Sequence, residues 1–236
     1  MLREELLKLQ QKEIELIRLK TKKKELEGER RELLSKIDDL EKKIESARLK
    51  LEEKKEHLRE LKNFISYKKE RIRELKRQKE GAKNREEFKK ILRLIAKNED
   101  EIIKVSQQIT GVETEIEALK DGYRKVKEQF LPKIAELQEK ISEIDSEIAV
   151  IDKKIKKVLS EIEQIKLSVP KEELEQFEEM KEKFNGLVFA DVSTGSCEGC
   201  GMAYSSAEFR ELLHRLQPGK TKCPYCGRFV YNKSGA

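Results

Sequence analysis

A seven-residue repeat of apolar side chains limits most strongly what this chain can fold into. Counting in sevens from Leu2 gives a column of mostly leucine and isoleucine that continues to Ile72, and a companion column, offset by three residues, ends at Leu75. Spacing of this kind over about ten heptads predicts a long coiled-coil helix. A second column, from Phe88 to Ile165, contains only apolar or aromatic residues and predicts a second helix.

Residues 81–87 separate the two repeats. Gly81 suits a helix C-cap, and Asn84 with Glu87 three residues later suits a capping box at the start of the next helix. Two helices of about 80 residues joined by a short loop favour an antiparallel hairpin within one chain over two chains zipped in parallel. The pattern is compatible with both a monomer and a dimer.

The hairpin is expected to pair residues whose numbers sum to about 165. This register places Lys23 and Arg30, which are polar members of the first column, near Pro132. The companion positions of the second helix change their spacing around Pro132, and a proline inside a helix removes one backbone hydrogen bond. The second helix is therefore predicted to be kinked there.

Composition supports an elongated fold over a single globule. Of the 236 residues 42% are charged and only 36% are hydrophobic, which is too little apolar material for a thick core but enough for a coiled-coil seam. No run approaches the roughly 18 apolar residues of a membrane span, and the first residues lack the apolar segment of a signal peptide. The sequence therefore predicts a cytosolic protein.

All four cysteines lie in the last 40 residues as two CxxC pairs, Cys197 with Cys200 and Cys223 with Cys226. Two such pairs predict one zinc ion held by four thiolates, and four protein ligands leave no open position, so the zinc is expected to be structural. A thioredoxin-like redox pair is the alternative, but no βαβ pattern surrounds these cysteines. His214 could replace a cysteine as ligand, although four well-spaced thiolates make this unnecessary.

The predicted fold class is therefore mainly α: a long antiparallel coiled-coil hairpin followed by a small zinc ribbon. Residues 1–169 form the hairpin with its tip at about residues 81–86, residues 170–185 form a short connecting helix, and residues 186–236 form the C4 zinc-ribbon domain. Within the ribbon we expect strands at residues 187–192 and 228–231, a helix over residues 207–216 capped by Ser205 or Ser206, and a turn at Pro218. The chain offers no Ser-His-Asp set and no Gly-rich phosphate loop, so it is not expected to be an enzyme.

Basic residues are concentrated in the basic tip, which we define as residues 62–97. This segment has 14 basic and 5 acidic residues. Such a surface would attract phosphate or an acidic protein, whereas the simpler interpretation is the solvated face of a coiled coil. The candidate binding residues of the tip are Lys76, Arg77, Lys79, Lys83, Arg85, Lys89, Lys90 and Arg93.

The ribbon offers further candidates for phosphate contacts. They are Arg210, Arg215, Lys220, Lys222 and Arg228. Tyr225, Phe229 and Tyr231 could stack on bases, but a small ribbon core is the simpler role for Phe229.

The sequence resembles the bacterial C4-type zinc-ribbon family, once catalogued as a domain of unknown function. The resemblance is carried by residues 197–200 (CEGC), by residues 223–228 (CPYCGR) with Val230 and Tyr231, and by the tip residues 84–88 (NREEF). The resemblance implies a cytosolic, non-enzymatic adaptor. Relatives in that family bind an RpoN-type sigma factor and influence flagellar or secretion gene expression, and RNA binding has been suggested for the ribbon. The expected function is thus binding of such a transcription-related protein, of RNA, or of both; a purely structural scaffold docking on an acidic protein is the alternative.

Overall fold

The computed structural model describes residues 2–217 and 219–233, with side chains from Glu4 onward. Two long helices, α1 (Leu2–Glu80) and α2 (Arg85–Ser168), are followed by α3 (Lys171–Lys183), strand β1 (Phe189–Asp191), α4 (Ser206–His214) and strand β2 (Phe229–Tyr231). The predicted fold class, a helical hairpin with a small four-cysteine module at its C-terminal end, is confirmed. The predicted seam contact of the Leu2 side chain and the predicted turn residue Pro218 lie outside the described residues.

The loop between α1 and α2 is closed by the residues that the sequence singled out. The backbone N–H of Glu87 donates to Asn84 Oδ1 at 2.8 Å, and the backbone N–H of Lys83 donates to Glu87 Oε2 at 3.1 Å. The bond to Asn84 satisfies a donor that the first turn of a helix leaves free, and the bond from Lys83 ties the Glu87 side chain back to the loop. Asn84 therefore fixes where α2 begins.

Residues 32–141 form one compact unit, in which α1 and α2 pack along the apolar seam. Close to the loop, Ile72 and Leu75 of α1 share a cluster with Ile91 and Ile95 of α2. Further along, Leu51 packs with residues 112 and 116. These pairs lie close to the predicted register. Helix α2 remains helical through Pro132. Within the described residues, no helix carries an apolar stretch suited to crossing a membrane.

The second compact unit consists of residues 1–31 and 142–236. Its core joins the hairpin base, which comprises residues 2–31 and 142–168, to α3 and the two strands. Phe189 lies between Phe177 of α3 and Phe229 of β2, with ring centroids 6.2 and 5.6 Å away. Packing therefore groups the hairpin base with the C-terminal module, whereas the division predicted from sequence follows the ends of the helices at residues 169 and 185.

The expectation that Lys23 and Arg30 lie near Pro132 is wrong. Lys23 Nζ binds Asp152 Oδ1 and Arg30 Nε binds Asp145 Oδ1, each at 2.7 Å. Asp145 and Asp152 follow Pro132 by 13 and 20 residues in the sequence. In both ion pairs the residue numbers sum to 175, not to the predicted 165, so these two residues pair across the hairpin base in a shifted register.

Candidate metal centre

The four cysteine sulfurs converge on one point of the C-terminal module. All four Sγ atoms lie within 4.8 Å of one another, and the Sγ atoms of Cys197 and Cys226 are 3.9 Å apart. Four thiolates placed tetrahedrally about 2.3 Å from a zinc ion lie about 3.8 Å from each other. The four residues thus fit a metal ion with four sulfur ligands. Cys197 and Cys223 are buried, Cys226 is half-buried and Cys200 is exposed.

Each CxxC pair lies in a turn with the same backbone hydrogen bonds. In the first turn, Gly201 N–H donates to Cys197 O at 2.7 Å, and Cys197 N–H donates to Met202 O at 2.9 Å. In the second, Gly227 N–H donates to Cys223 O at 2.9 Å, and Cys223 N–H donates to the carbonyl of residue 228 at 2.8 Å. The glycines have φ of 73° and 77°, a conformation that disfavours residues with a Cβ. Two equivalent turns therefore present two sulfurs each.

The strands hold the two turns side by side. β1 and β2 pair in parallel, with Phe189 opposite Phe229 and Asp191 opposite Tyr231. Of the segment 187–192, predicted as a strand, only residues 189–191 belong to β1, and β2 begins one residue later than predicted. Helix α4 fills the interval between the cysteine pairs. Ser205 is its N-cap and forms a capping box with Glu208.

Tyr204 is a buried hydrogen-bond donor to one of the four sulfurs. Its hydroxyl lies 3.2 Å from Cys223 Sγ, and only 9% of the residue is exposed. Burial and this hydrogen bond raise the pKa of Tyr204 well above its usual range, so the hydroxyl keeps its proton and remains a donor. Groups that bond to metal ligands in this way fix ligand orientation and tune metal affinity. Tyr225 lies beside Tyr204 but donates its own hydroxyl to Glu208 Oε1 at 3.0 Å.

The thiols of the cluster differ in how readily they ionise. Burial raises the pKa of the Cys197 thiol to about 12. Burial acts in the same direction on Cys226, but hydrogen bonds from the backbone and side chain of Arg228 outweigh it and lower the pKa of that thiol to about 7. A metal cation at the centre of the cluster favours the ionised, thiolate form of all four cysteines. Since four cysteines complete a tetrahedral shell, such an ion would have no free position for a substrate.

Arg228, a predicted phosphate contact, is half-buried and makes contacts within the module. Its guanidinium carbon lies 4.3 Å from the centroid of the Phe184 ring, and its Nε donates to Leu187 O at 2.9 Å. A Cβ added to Gly199 would lie 2.4 Å from Arg228 Cδ. The arginine therefore covers the first cysteine turn and ties it to the end of α3, which explains why glycine stands between the first two cysteines.

The other predicted ribbon cations are dispersed. Arg210 Nε donates to Ser206 O at 3.1 Å, and Arg215 pairs with Glu211 on α4. Lys220 and Lys222 are exposed and line an open cleft of about 440 Å³ between α3 and the second cysteine turn. Lys183 and Phe184 of α3 line the same cleft. Sequence reasoning missed Lys183 because helical periodicity gives no signal that α3 packs beside the ribbon. Phe229, by contrast, is buried, in agreement with a core role.

Within the described residues, none of the eight candidate cations of the basic tip forms an ion pair. Seven are exposed and Lys79 is half-buried. Elsewhere on α1, cations of the same kind have carboxylate partners, as in the pairs Arg48 with Glu45 and Lys55 with Glu52. These eight residues thus keep their charge available to a partner, whereas other cations of the basic tip, namely Lys62, Lys68 and Arg71, pair with carboxylates.

Two polar residues that sequence reasoning missed are buried where the hairpin base meets the module. Gln10 is 5% exposed, and its side-chain amide bonds both backbone groups of Phe189: Phe189 N–H donates to Oε1 at 2.6 Å, and Nε2 donates to Phe189 O at 2.8 Å. Glu13, one turn later, binds Lys181 of α3 at 3.1 Å. The heptad pattern describes only the contact of α1 with α2, so it gave no sign of this third partner.

Solved structures with the same fold are known. A Chlamydia trachomatis protein, CT398, is similar over 98% of this chain and 97% of its own, with 20% identity and a TM-score of 0.74. A Mycobacterium smegmatis protein matches over 98% and 97% at 15% identity with a TM-score of 0.73, and the Helicobacter pylori protein HP0958 over 98% and 96% at 15% identity with a TM-score of 0.51. No family model and no curated protein matches the sequence. At these identities the likeness shows a shared fold over the whole chain.

Proposed function

We propose that this chain is a cytosolic, non-enzymatic adaptor whose C-terminal module is folded around one structural zinc ion and whose basic tip binds a macromolecular partner. The observation that carries the proposal is the set of eight tip cations without a carboxylate partner among the described residues. Like charges held together repel one another, so their accumulation adds nothing to the stability of the hairpin. A partner rich in negative charge would relieve this repulsion.

The partner is a transcription-related protein, RNA, or both. An RpoN-type sigma factor is the protein candidate, because the cysteine turns and residues 84–88 resemble those of the C4-type zinc-ribbon family. For RNA, the lysines of the cleft beside the second cysteine turn offer a further cationic surface. Binding to phosphates would weaken steeply with salt because it releases counterions.

The alternative is a purely structural scaffold that docks on an acidic protein and does not bind nucleic acid. The many ion pairs along α1 favour it, since they are what a solvated coiled-coil surface needs. The two functions differ in whether RNA is retained on the full-length protein at low salt.

Affinity capture from the native lysate tests the proposal, with and without nuclease. The full chain is compared with a triple variant of the tip, K76Q/R77Q/K83Q, and with a matched triple variant of paired cations, R48Q/K55Q/R59Q. A partner lost from the tip variant alone supports the proposal. Retention of that partner after nuclease identifies a protein, and its loss identifies RNA. Equal capture by both triple variants would refute a role for the tip.

The zinc assignment is tested separately. Elemental analysis of the purified chain should give one zinc per chain, and Cys223→Ser should abolish it because three thiolates no longer complete the shell. A wild-type protein that purifies without stoichiometric metal contradicts the assignment.

A further inference from the structure

The first two turns of α2 carry an outward-facing stripe that the coiled coil does not use. Its members, Arg85, Phe88, Lys89, Leu92 and Arg93, follow one another at helical spacing, so they lie on one face. We call them the cationic–apolar stripe. Phe88 is 40% and Leu92 is 41% exposed, whereas Ile91 and Ile95 of the same helix are each 7% exposed and pack against α1.

Phe88 is the point at which the sequence pattern misleads. It begins the second heptad column, which predicts a buried seam residue, and every later member of that column is buried or half-buried. Near the loop, α1 ends at Glu80 and offers no apolar residue to cover it. The prediction of Phe88 as part of the seam is therefore wrong, and its ring is available together with Leu92.

The charges of the stripe are also free of internal partners. Arg85, Lys89 and Arg93 make no ion pair within the part of the chain that the structure describes. Glu87, on the same turn, is held in the cap of α2 by the backbone N–H of Lys83. Arg85 occupies the first turn of α2, where the helix dipole disfavours a positive charge. Neither the fold nor helix stability explains this arrangement of cations.

We infer that the cationic–apolar stripe docks an acidic amphipathic helix of a partner protein, an inference that rests on the proposed function and deepens it. Phe88 and Leu92, one turn apart, would receive apolar side chains that are likewise one turn apart on the partner. Arg85, Lys89 and Arg93 form a row along one side of the apolar pair and match Asp or Glu along the corresponding side of the partner's apolar face. The stripe spans about two turns, a length suited to helix-in-groove recognition.

The composition of the stripe favours a protein over RNA. Unstacked bases are bound by planar rings and guanidinium groups, and the branched aliphatic side chain of Leu92 offers no stacking surface. Leucine and phenylalanine exposed one turn apart are instead a pair that an amphipathic helix buries. RNA remains as an outcome that the test distinguishes.

A selection from a display library of helical peptides tests the inference on the full-length, metal-loaded chain. Peptides are selected on the wild type and re-bound to three variants. F88S/L92Q removes the apolar pair and keeps the charge, R85Q/K89Q/R93Q removes the charge and keeps the apolar pair, and I103Q alters an exposed apolar residue of α2 outside the stripe, 58% exposed. Far-UV circular dichroism establishes that each variant is as helical as the wild type.

The expected result is enrichment of acidic peptides with apolar residues at i, i+3 or i+4, and i+7. Their affinity should fall by about tenfold or more in both stripe variants and stay unchanged in I103Q, because a central apolar anchor and its charged rim both contribute. The inference is overturned if no such class is enriched, or if selected peptides bind F88S/L92Q as tightly as the wild type.

Binding of a poly(U) RNA probe separates this inference from the proposed function. If poly(U) binding is lost in R85Q/K89Q/R93Q, unchanged in F88S/L92Q, and no acidic peptide is selected, the docking inference fails while the tip remains a binding surface. If the lysate capture also finds no partner that depends on the tip, the proposed function fails as well.

Discussion

Replacing Gln10 by leucine should loosen the contact between the hairpin base and β1. The side-chain amide of Gln10 satisfies the N–H and the C=O of Phe189, and Phe189 is only 3% exposed. Leucine fills nearly the same volume but leaves both backbone groups unpaired in a dry environment. Each buried, unsatisfied group costs about 1–3 kcal/mol, and the added apolar burial offsets part of this, so the expected loss is about 2–4 kcal/mol.

Amide hydrogen exchange of β1, followed by mass spectrometry, measures this loss directly. At about 1.4 kcal/mol per tenfold, protection of residues 187–192 should fall by about 30-fold to several hundredfold. Gln11→Leu is the matched control, because Gln11 is the adjacent residue and is exposed. A change in protection of less than about threefold in Gln10→Leu, or an equal change in Gln11→Leu, would refute the reasoning.

Three further predictions concern the C-terminal module and α1. Tyr204→Phe removes the hydrogen-bond donor to a cysteine sulfur, so the variant should release bound metal to a chelator about tenfold faster than the wild type. Tyr225→Phe is the control and should leave the release rate unchanged, because the Tyr225 hydroxyl bonds a carboxylate instead. Equal release rates in the two variants would contradict the assigned role of Tyr204. Gly199→Ala places a methyl group against Arg228 and should destabilise the module by about 1–3 kcal/mol. Gly28→Ala adds a methyl group that points into open space on α1 and should stabilise that helix by about 0.5–1 kcal/mol. Thermal unfolding curves measure both changes. Burial acts to raise the pKa of Asp191, but hydrogen bonds from the backbone N–H and hydroxyl of Ser193 outweigh it and hold the pKa below its ordinary value. The stability that Asp191 contributes is therefore present above about pH 4 and lost as the pH falls through the folded-state pKa. Urea midpoints of Asp191→Asn should therefore change less between about pH 5 and pH 3 than those of the wild type, and parallel curves would exclude this role.

Local patterns were sufficient for the helices and for the cluster of four cysteines. Asn84 begins α2 and Ser205 begins α4 because capping depends on a side chain and backbone groups within three residues of it. Backbone hydrogen bonds within each CxxC turn hold its two sulfurs close together, and the four sulfurs of the two turns form one cluster. Such features involve short stretches of chain, and their residue types leave few alternative conformations.

The same patterns gave no information on contacts between a residue and an element distant in sequence. They did not indicate that the guanidinium of Arg228 stacks on Phe184, 44 residues earlier in the chain. Gln10 stands among surface-like polar residues of α1, yet it serves as the hydrogen-bond partner of β1. A heptad repeat records which face of a helix is apolar, but it does not record a third element packed on that helix.

The sequence by itself determined two coiled-coil helices with a capped loop, four cysteines at metal-ligand spacing and an excess of positive charge around the loop, because these depend on periodicity, on short-range geometry and on composition. Only the tertiary structure decided that the hairpin base shares its core with the C-terminal module and that Arg228 is half-buried against Phe184. It also decided that Phe88 and Leu92 are exposed among cations that have no ion-pair partner in the described part of the chain. The physical reason is that burial and charge compensation belong to pairs of surfaces, and which surfaces meet is settled when distant parts of the chain pack together.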